Sequence, residues 1–325
     1  MGGDDERHGD AYLDHLQPIL RKVPWVPVLG NHEYFDGDMF NRFLNQSAMG
    51  TGTGESDERA PTGLGSLLSR ATGQYGASAH GGAEPSHTSR FFGLDIGLIH
   101  LVALDGNVYD WGIYKTETVY RQAQLSWLRK DLAAAAENRD KVPWILMLSH
   151  YPIYCSSVSI GGYRVELNQT SALPMLSEKL RAQGKQYKGC AEGQSYADIS
   201  REDLEPLMME FGVDVYFAGH MHAYESTWPV HNNTPTAENF VNPTAPVHVT
   251  TGAGGAPSYD AFDNNWGPWT RKQIMAWGYG RVVAHNSSML SYSHVLNANS
   301  SVVDQIVIQQ IKHGPFPRLK IDDGR

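Results

Sequence analysis

Three short apolar runs in this chain each stop at a histidine-bearing loop. Val26–Leu29 leads into Gly30-Asn31-His32-Glu33, Trp144–Leu148 into Ser149-His150, and Val213–Ala218 into Gly219-His220-Met221-His222. Short continuous apolar runs bounded by turn residues predict buried strands of a parallel sheet. Between them the period changes. Thr118–Asn138 predicts a helix with Leu125, Leu128 and Leu132 on its core side and an alanine run of high helix propensity. Asp10–Val23 predicts another, striped by Tyr12, Leu13, Leu16, Ile19 and Leu20, with Pro18 as a kink. Ser200 with Asp203 has the form of a capping box opening a helix that runs to Phe211. Arg90–Leu104 predicts a hairpin around Asp95-Ile96-Gly97, and Lys141-Val142-Pro143 a turn. Beyond Trp228 the pattern becomes all-β, at Val247–Thr251, Arg281–Ala284, Met289–Tyr292 and Val302–Ile311. Strand and helix alternate through the first two-thirds, which predicts an α/β fold built on a largely parallel sheet with helices on its faces.

Residues 46–88 break the pattern. They are rich in Gly, Ser, Thr and Ala, without apolar periodicity, and read as a long flexible surface insertion. Residues 156–199 read as irregular.

In open α/β sheets, ligand sites gather beyond the carboxyl ends of the strands. Neutral imidazole nitrogens are ligands for borderline transition metals, and an asparagine oxygen can ligate without adding charge. Asn31, His32, His150, His220 and His222 therefore read as the wall of a metal site. In His220-x-His222 both side chains can serve one metal or straddle two.

Bulk composition narrows the classes. The chain has 325 residues, 41% hydrophobic and 19% charged, enough for one large domain or two ordinary ones. No stretch reaches the roughly 18 apolar residues of a membrane helix. A net charge of -9 argues against a nucleic-acid partner, which calls for a basic face. It leaves an anionic substrate open, because a bound metal reverses the local field. Cys155 and Cys190 are the only cysteines, so one disulfide or two thiols are possible. Sequons stand at Asn45, Asn168, Asn232, Asn286 and Asn299, while Asn242 is followed by proline. They favour a secreted or lysosomal/vacuolar location. Met1–Arg7 has no apolar core of a signal peptide.

The loop sequences resemble the metallophosphoesterases, and within them the purple acid phosphatases of animal and protist type. Gly30-Asn31-His32-Glu33-Tyr34, Ser149-His150-Tyr151-Pro152-Ile153-Tyr154 and Gly219-His220-Met221-His222-Ala223-Tyr224-Glu225 look like three of the family's five ligand blocks. Tyr154-Cys155-Ser156-Ser157, the stretch Pro246–Gly255 and Trp277-Gly278-Tyr279-Gly280-Arg281 look like further family segments. The resemblance implies a four-layer α/β/β/α sandwich, with a catalytic domain over 1–228, a C-terminal region over 244–312 and a tail over 313–325. It implies a binuclear centre of Fe(III) with divalent Fe, Zn or Mn. By motif, Asn31, His150 and His220 would bind the divalent ion and His222 the ferric ion. His32 would contact phosphate and protonate the leaving group, while Tyr224 and Glu225 would orient the histidine loop from behind. Cys155 and Cys190 would form a disulfide. The implied reaction is hydrolysis of small-molecule or protein-borne phosphate monoesters by an acid phosphatase. The oligomeric state stays open.

The pattern also departs from the family. The Gly-Asp-x-x-Tyr block, which supplies a bridging aspartate and a tyrosine ligand, has no counterpart. At Gly9-Asp10 the tyrosine position is Leu13. The chain is therefore expected to be a fragment that lacks the ferric-site carboxylates and is inactive alone. Tyr151 stands where relatives carry arginine, and no histidine stands near Ile160. A phosphodiesterase or nucleotidase of the same superfamily, or an inactive glycoprotein that uses the fold for binding, are the alternatives.

Overall fold

The computed structural model describes residues 14–23, 25–35, 90–109, 117–158, 196–256, 261–262 and 267–317. The expected insertion at 46–88, Cys190, Asn45 and Asn168 lie outside them. The chain divides into two compact units. Met1–Leu94, Val102–Asp131 and Leu148–His150 form the first; Asp95–Leu101, Leu132–Met147 and Tyr151–Arg325 form the second.

Within the first unit, helix α1 covers 14–20, and Pro18 sits inside it without ending it. Its stripe is shallow, with Leu16 and Leu20 half-buried and Ile19 exposed. The run Val26–Leu29 does not form the expected strand. Pro27 removes a ladder donor from its centre. The carbonyls of Leu29 and Gly30 instead accept from the Asn107 side-chain amide, at 3.2 and 3.4 Å. Helix α2, Asn31–Phe35, follows at once.

The hairpin of β1, Phe92–Ile96, and β2, Ile99–Ala103, forms as expected, turning at Gly97 with φ +59°. A short 3₁₀ helix, Gly106–Tyr109, is wholly buried. Helix α3, Thr118–Glu137, buries Tyr120, Ala123, Gln124, Trp127, Leu128, Asp131, Leu132 and Ala135, the i, i+3, i+4 spacing of one helical face. Leu128 and Leu132 lie on it as expected and Leu125 at its margin. Phe91 packs on its first half, against Tyr120 and Trp127 with ring centroids 5.6 and 5.0 Å away.

Strand β3, Trp144–Ser149, precedes a two-residue strand β4, Ser157–Val158. Helix α4, Tyr196–Phe211, begins earlier than the expected capping box. Ser200 lies inside it, and its hydroxyl bonds back to the Tyr196 carbonyl at 2.6 Å instead of capping an end. Then come β5, Val215–Ala218, β6, Tyr224–Thr227, β7, Val230–His231, β8, Thr234–Pro235, and β9, Val247–Thr251. The last strands are β10, Ala261–Phe262, β11, Thr270–Ile274, β12, Gly278–Asn286, β13, Met289–Leu296, and β14, Val302–Gln309.

The main sheet has the order β1-β2-β3-β5-β9-β6-β11. Strands β5 and β9 pair in parallel. Asp214 N donates to Ile145 O and Val247 N to Asp214 O, so the starts of β3, β5 and β9 lie along one line. Strands β6 and β11 close the sheet antiparallel. A second sheet, β12-β13-β14, is a meander that packs on the main sheet within the second unit. Tyr292 of β13 lies 5.6 Å from Phe217 and stacks on Tyr224. This is a mixed α/β architecture on a sheet with parallel strands, as expected.

Candidate active-site loops

Asn31 opens α2 directly after Gly30, and the first turn closes on itself. Gly30 N donates to Glu33 Oε2 at 3.1 Å, satisfying an amide that a helix start leaves without an internal partner. A Cβ on Gly30 would stand 2.5 Å from that oxygen and 3.2 Å from His150 ring atoms, so a larger residue here would displace the Glu33 carboxylate from the amide and press on the His150 ring. Across the loop, Asn31 Oδ1 faces His150 Nε2 at 2.7 Å, although the two residues lie 119 positions apart in the chain. His32 is exposed on the outer side of the same turn. At the far end of α2 the Tyr34 hydroxyl donates to Glu117 Oε1 at 2.9 Å. Burial, reinforced by the Glu117 charge, pushes this hydroxyl well above its ordinary pKa, so Tyr34 stays a donor.

In the second unit, the loop after β5 is two consecutive three-residue turns. Met221 N bonds to Gly219 O at 2.7 Å and Ala223 N to Met221 O at 2.8 Å. His220 and His222 are their central residues, which turns both side chains outward while Met221 points into the core. His220 has φ +60°, a left-handed conformation that costs a Cβ-bearing residue on the order of 1–2 kcal/mol. Tyr151 and Tyr196 wall its ring, with centroids at 4.5 and 5.4 Å. Tyr151, at the position where relatives are expected to carry arginine, is buried and packs against His220. Met221 packs on Cys155 and Ala197. Cys155 is buried and disulfide-bonded, and the chain's other cysteine is Cys190.

Tyr224 and Glu225 anchor the strand into which this loop runs, from opposite faces of β6. Tyr224 stacks on His294 at 4.0 Å and donates to Asp304 Oδ2 at 2.6 Å; Ser226 and Arg271 reach the same oxygen. Glu225 is wholly buried and accepts from Ser156 N at 2.7 Å, from Ser156 Oγ, and from Thr270 Oγ1 at 2.7 Å. It thereby ties the segment after β3 to the β6–β11 hairpin. Removing the shared carboxylate by Asp304→Ala strands a half-buried guanidinium and a buried tyrosine hydroxyl. We expect a loss of about 3 kcal/mol in urea unfolding, against about 1 for Tyr224→Phe.

The structure thus brings Asn31 and His150 together in the first unit, and sets His220 and His222 in one loop ahead of Tyr224 and Glu225 in the second. Asn232, Asn286 and Asn299 are all exposed. Sequence reasoning missed Asn107, Glu117, Ser156 and Asp304, because each acts on a segment far away in the chain, and it missed Glu33, whose bond to Gly30 N lies within its own turn.

Among the described residues, no group of three or more His, Cys, Asp or Glu side chains is gathered that could hold a metal ion. The donor chemistry fits a metal in part. A neutral amide oxygen and an imidazole nitrogen at 2.7 Å are close to the roughly 3 Å between neighbouring ligand atoms on one metal with bonds of about 2.1 Å. They suit a divalent borderline ion. The carboxylates that a ferric ion favours have no described counterpart.

Residues 2–224 match the model of the calcineurin-like phosphoesterases, and residues 245–305 that of the iron/zinc purple acid phosphatase-like protein C region. The chain is 27% identical over 328 residues to acid phosphatase type 7 of Danio rerio, covering 96% of this chain and 59% of that relative. It is 26% identical over 312 residues to the Homo sapiens protein of the same name, covering 93% of this chain and 57% of the relative. The chain therefore spans somewhat more than half the length of these relatives. A solved purple acid phosphatase from yellow lupin (Lupinus luteus) seeds shares 22% identity at a TM-score of 0.49, over 70% of this chain and 34% of that one. With more than half its length matched, the chain belongs to the calcineurin-like phosphoesterase family and carries the purple acid phosphatase-like C-terminal region.

Proposed function

We propose that this chain contributes the divalent-metal half of an acid phosphatase centre that hydrolyses phosphate monoesters. The observation that carries the reading is the Asn31 Oδ1–His150 Nε2 pair, two neutral donors from distant segments held face to face. Asn31, His150 and His220 bind the divalent ion, iron, zinc or manganese; His222 is the contribution to a ferric site. Such metals supply Lewis-acid polarisation of the phosphate and a lowered pKa for the attacking water. The chain's own part is positioning and proton transfer. His32, exposed one residue from Asn31, protonates the leaving alkoxide. Gly30 keeps the backbone beside the His150 ring open.

The substrates are small or protein-borne phosphate esters, and nucleic acid is not a partner, in keeping with a net charge of -9. Exposed sequons at Asn232, Asn286 and Asn299 with a disulfide at Cys155 support a secreted or lysosomal/vacuolar glycoprotein. No helix among the described residues is long and apolar enough to cross a membrane. A second reading, a binding module without catalysis, draws on the lack of a three-donor cage among the described residues.

Metal titration separates these readings. The purified chain is expected to bind one Co(II), with visible d–d bands, and His150→Ala to weaken that binding at least tenfold. Equal binding by wild type and variant would sink the ligand assignment. Violet colour with hydrolysis of p-nitrophenyl phosphate by this chain alone would replace the half-site by a complete centre. Faster hydrolysis of the bis ester in the metal-loaded protein would favour a diesterase.

A further inference from the structure

Arg90 lies in the first unit, well away in sequence from any histidine loop, and its side chain is buried. Its guanidinium reaches two carboxylates. Nε and Nη2 both lie 2.5 Å from Asp105 Oδ2, and Nη2 lies 3.5 Å from Glu117 Oε2. The plane of the group stacks on Tyr120, with Cζ 3.5 Å from the ring centroid. A charge this buried is retained only where several partners hold it.

Each carboxylate has a second engagement, and both lead to the same five residues. Asp105 Oδ1 accepts from Asn107 N at 2.9 Å and Asn107 Nδ2 at 3.0 Å. That fixed amide then donates to the carbonyls of Leu29 and Gly30, just before Asn31. Glu117 Oε1 accepts the Tyr34 hydroxyl, just after His32 and Glu33. Gln124 on α3 locks Asp105 from behind, its Oε1 accepting from Asp105 N at 2.9 Å and its Nε2 donating to Asp105 O at 3.2 Å. One arm holds the entrance of the loop and the other holds its exit.

We infer that Arg90 is a positioning residue whose guanidinium, through Asp105–Asn107 on one side and Glu117 on the other, clamps both ends of the Gly30–Tyr34 turn that presents Asn31 and His32. The inference rests on the proposed ligand role of Asn31 for its functional meaning, and on the bonds above for its mechanics. A planar fork is needed because two carboxylates must be met at once, so lysine does not replace arginine here.

Two readouts on the full chain test it. Amide hydrogen exchange reports the clamp itself. Arg90→Lys is expected to speed exchange in Gly30–Tyr34 at least tenfold while α3 keeps its protection; Asn107→Ala and Glu117→Gln are each expected to do so at one end of the turn. The Co(II) spectrum reports the function. Arg90→Lys is expected to weaken Co(II) binding at least fivefold and to change the d–d band shape, which a general loss of stability would not do to the folded fraction. If Arg90→Lys does not fold, Asn107→Ala and Glu117→Gln decide the question by the same measurements. Unchanged exchange across the turn in all folded variants would overturn the clamp. A clamp seen by exchange in a chain whose wild type binds no Co(II) would leave the mechanics standing and overturn the ligand reading on which its function rests.

Discussion

Adding one methyl group at Gly252 is expected to unseat the His220-Met221-His222 loop. Gly252 follows β9, the parallel neighbour of β5, and its backbone passes against that loop. A Cβ there would stand 2.0 Å from the Met221 carbonyl oxygen, 2.8 Å from the carbonyl carbon and 3.3 Å from the Gly219 carbonyl carbon. All three are main-chain atoms, so no rotamer change relieves the clash. The turns at His220 and His222 must open or β9 must shift from its register with β5. Overpacking in a fitted core costs about 1–3 kcal/mol, and a backbone clash belongs at the top of that range. We expect Gly252→Ala to lower the urea midpoint accordingly and to move the imidazole resonances of His220 and His222. A variant with an unchanged midpoint and unchanged ring shifts would show that the approach is not as close as the structure has it.

A second large effect concerns acid. His248 in β9 is buried between the rings of Tyr154 and Tyr216, with centroids at 4.8 and 5.4 Å. Neither of its ring nitrogens has a hydrogen-bond partner among the described residues. Burial, with a smaller contribution from the Arg201 charge, pushes its pKa down to about 3. The folded chain therefore refuses a proton that the unfolded chain accepts below about 6.5. Stability from this group is fully present above 6.5 and is lost as pH falls from there toward 3. The slope approaches about 1.4 kcal/mol per pH unit, so about 2 kcal/mol disappears between pH 7 and pH 5. Phenylalanine keeps the ring contacts without the base. The stability of His248→Phe relative to wild type, from urea midpoints, should rise by about that amount over the same interval. A pH-independent difference would falsify the assignment. For a protein proposed to work in acid, this histidine is a cost carried inside the sheet.

The central strands were legible because their residues alone determine them. Trp144–Leu148 and Val247–Thr251 are runs of bulky or β-branched side chains, and both are strands. Val26–Leu29 has the same hydrophobicity but is held by the Asn107 side chain, a partner 78 residues away that no local pattern announces. Ser200 and Asp203 match a capping box by spacing, yet both lie inside α4, whose Tyr196 ring packs on Tyr151 and His220. The same division holds at the site. The histidine loops stand out because Gly-His-Met-His and Gly-Asn-His follow apolar runs. Arg90, Glu117 and Asp304 are ordinary charged residues in sequence. Their roles come only from pairings such as Tyr34 with Glu117, separated by 83 positions, and Tyr224 with Asp304, separated by 80.

The left-handed backbone at His220 has a consequence for anyone engineering this chain. Glycine is the residue that relieves a positive φ at no steric cost. A search that ranks substitutions by folding free energy alone will therefore favour His220→Gly, since it relaxes the turn and leaves the walls of Tyr151 and Tyr196 in place. The imidazole would vanish from a better-folded protein. Position 220 is a place where selection for thermal robustness and the proposed ligand role pull in opposite directions.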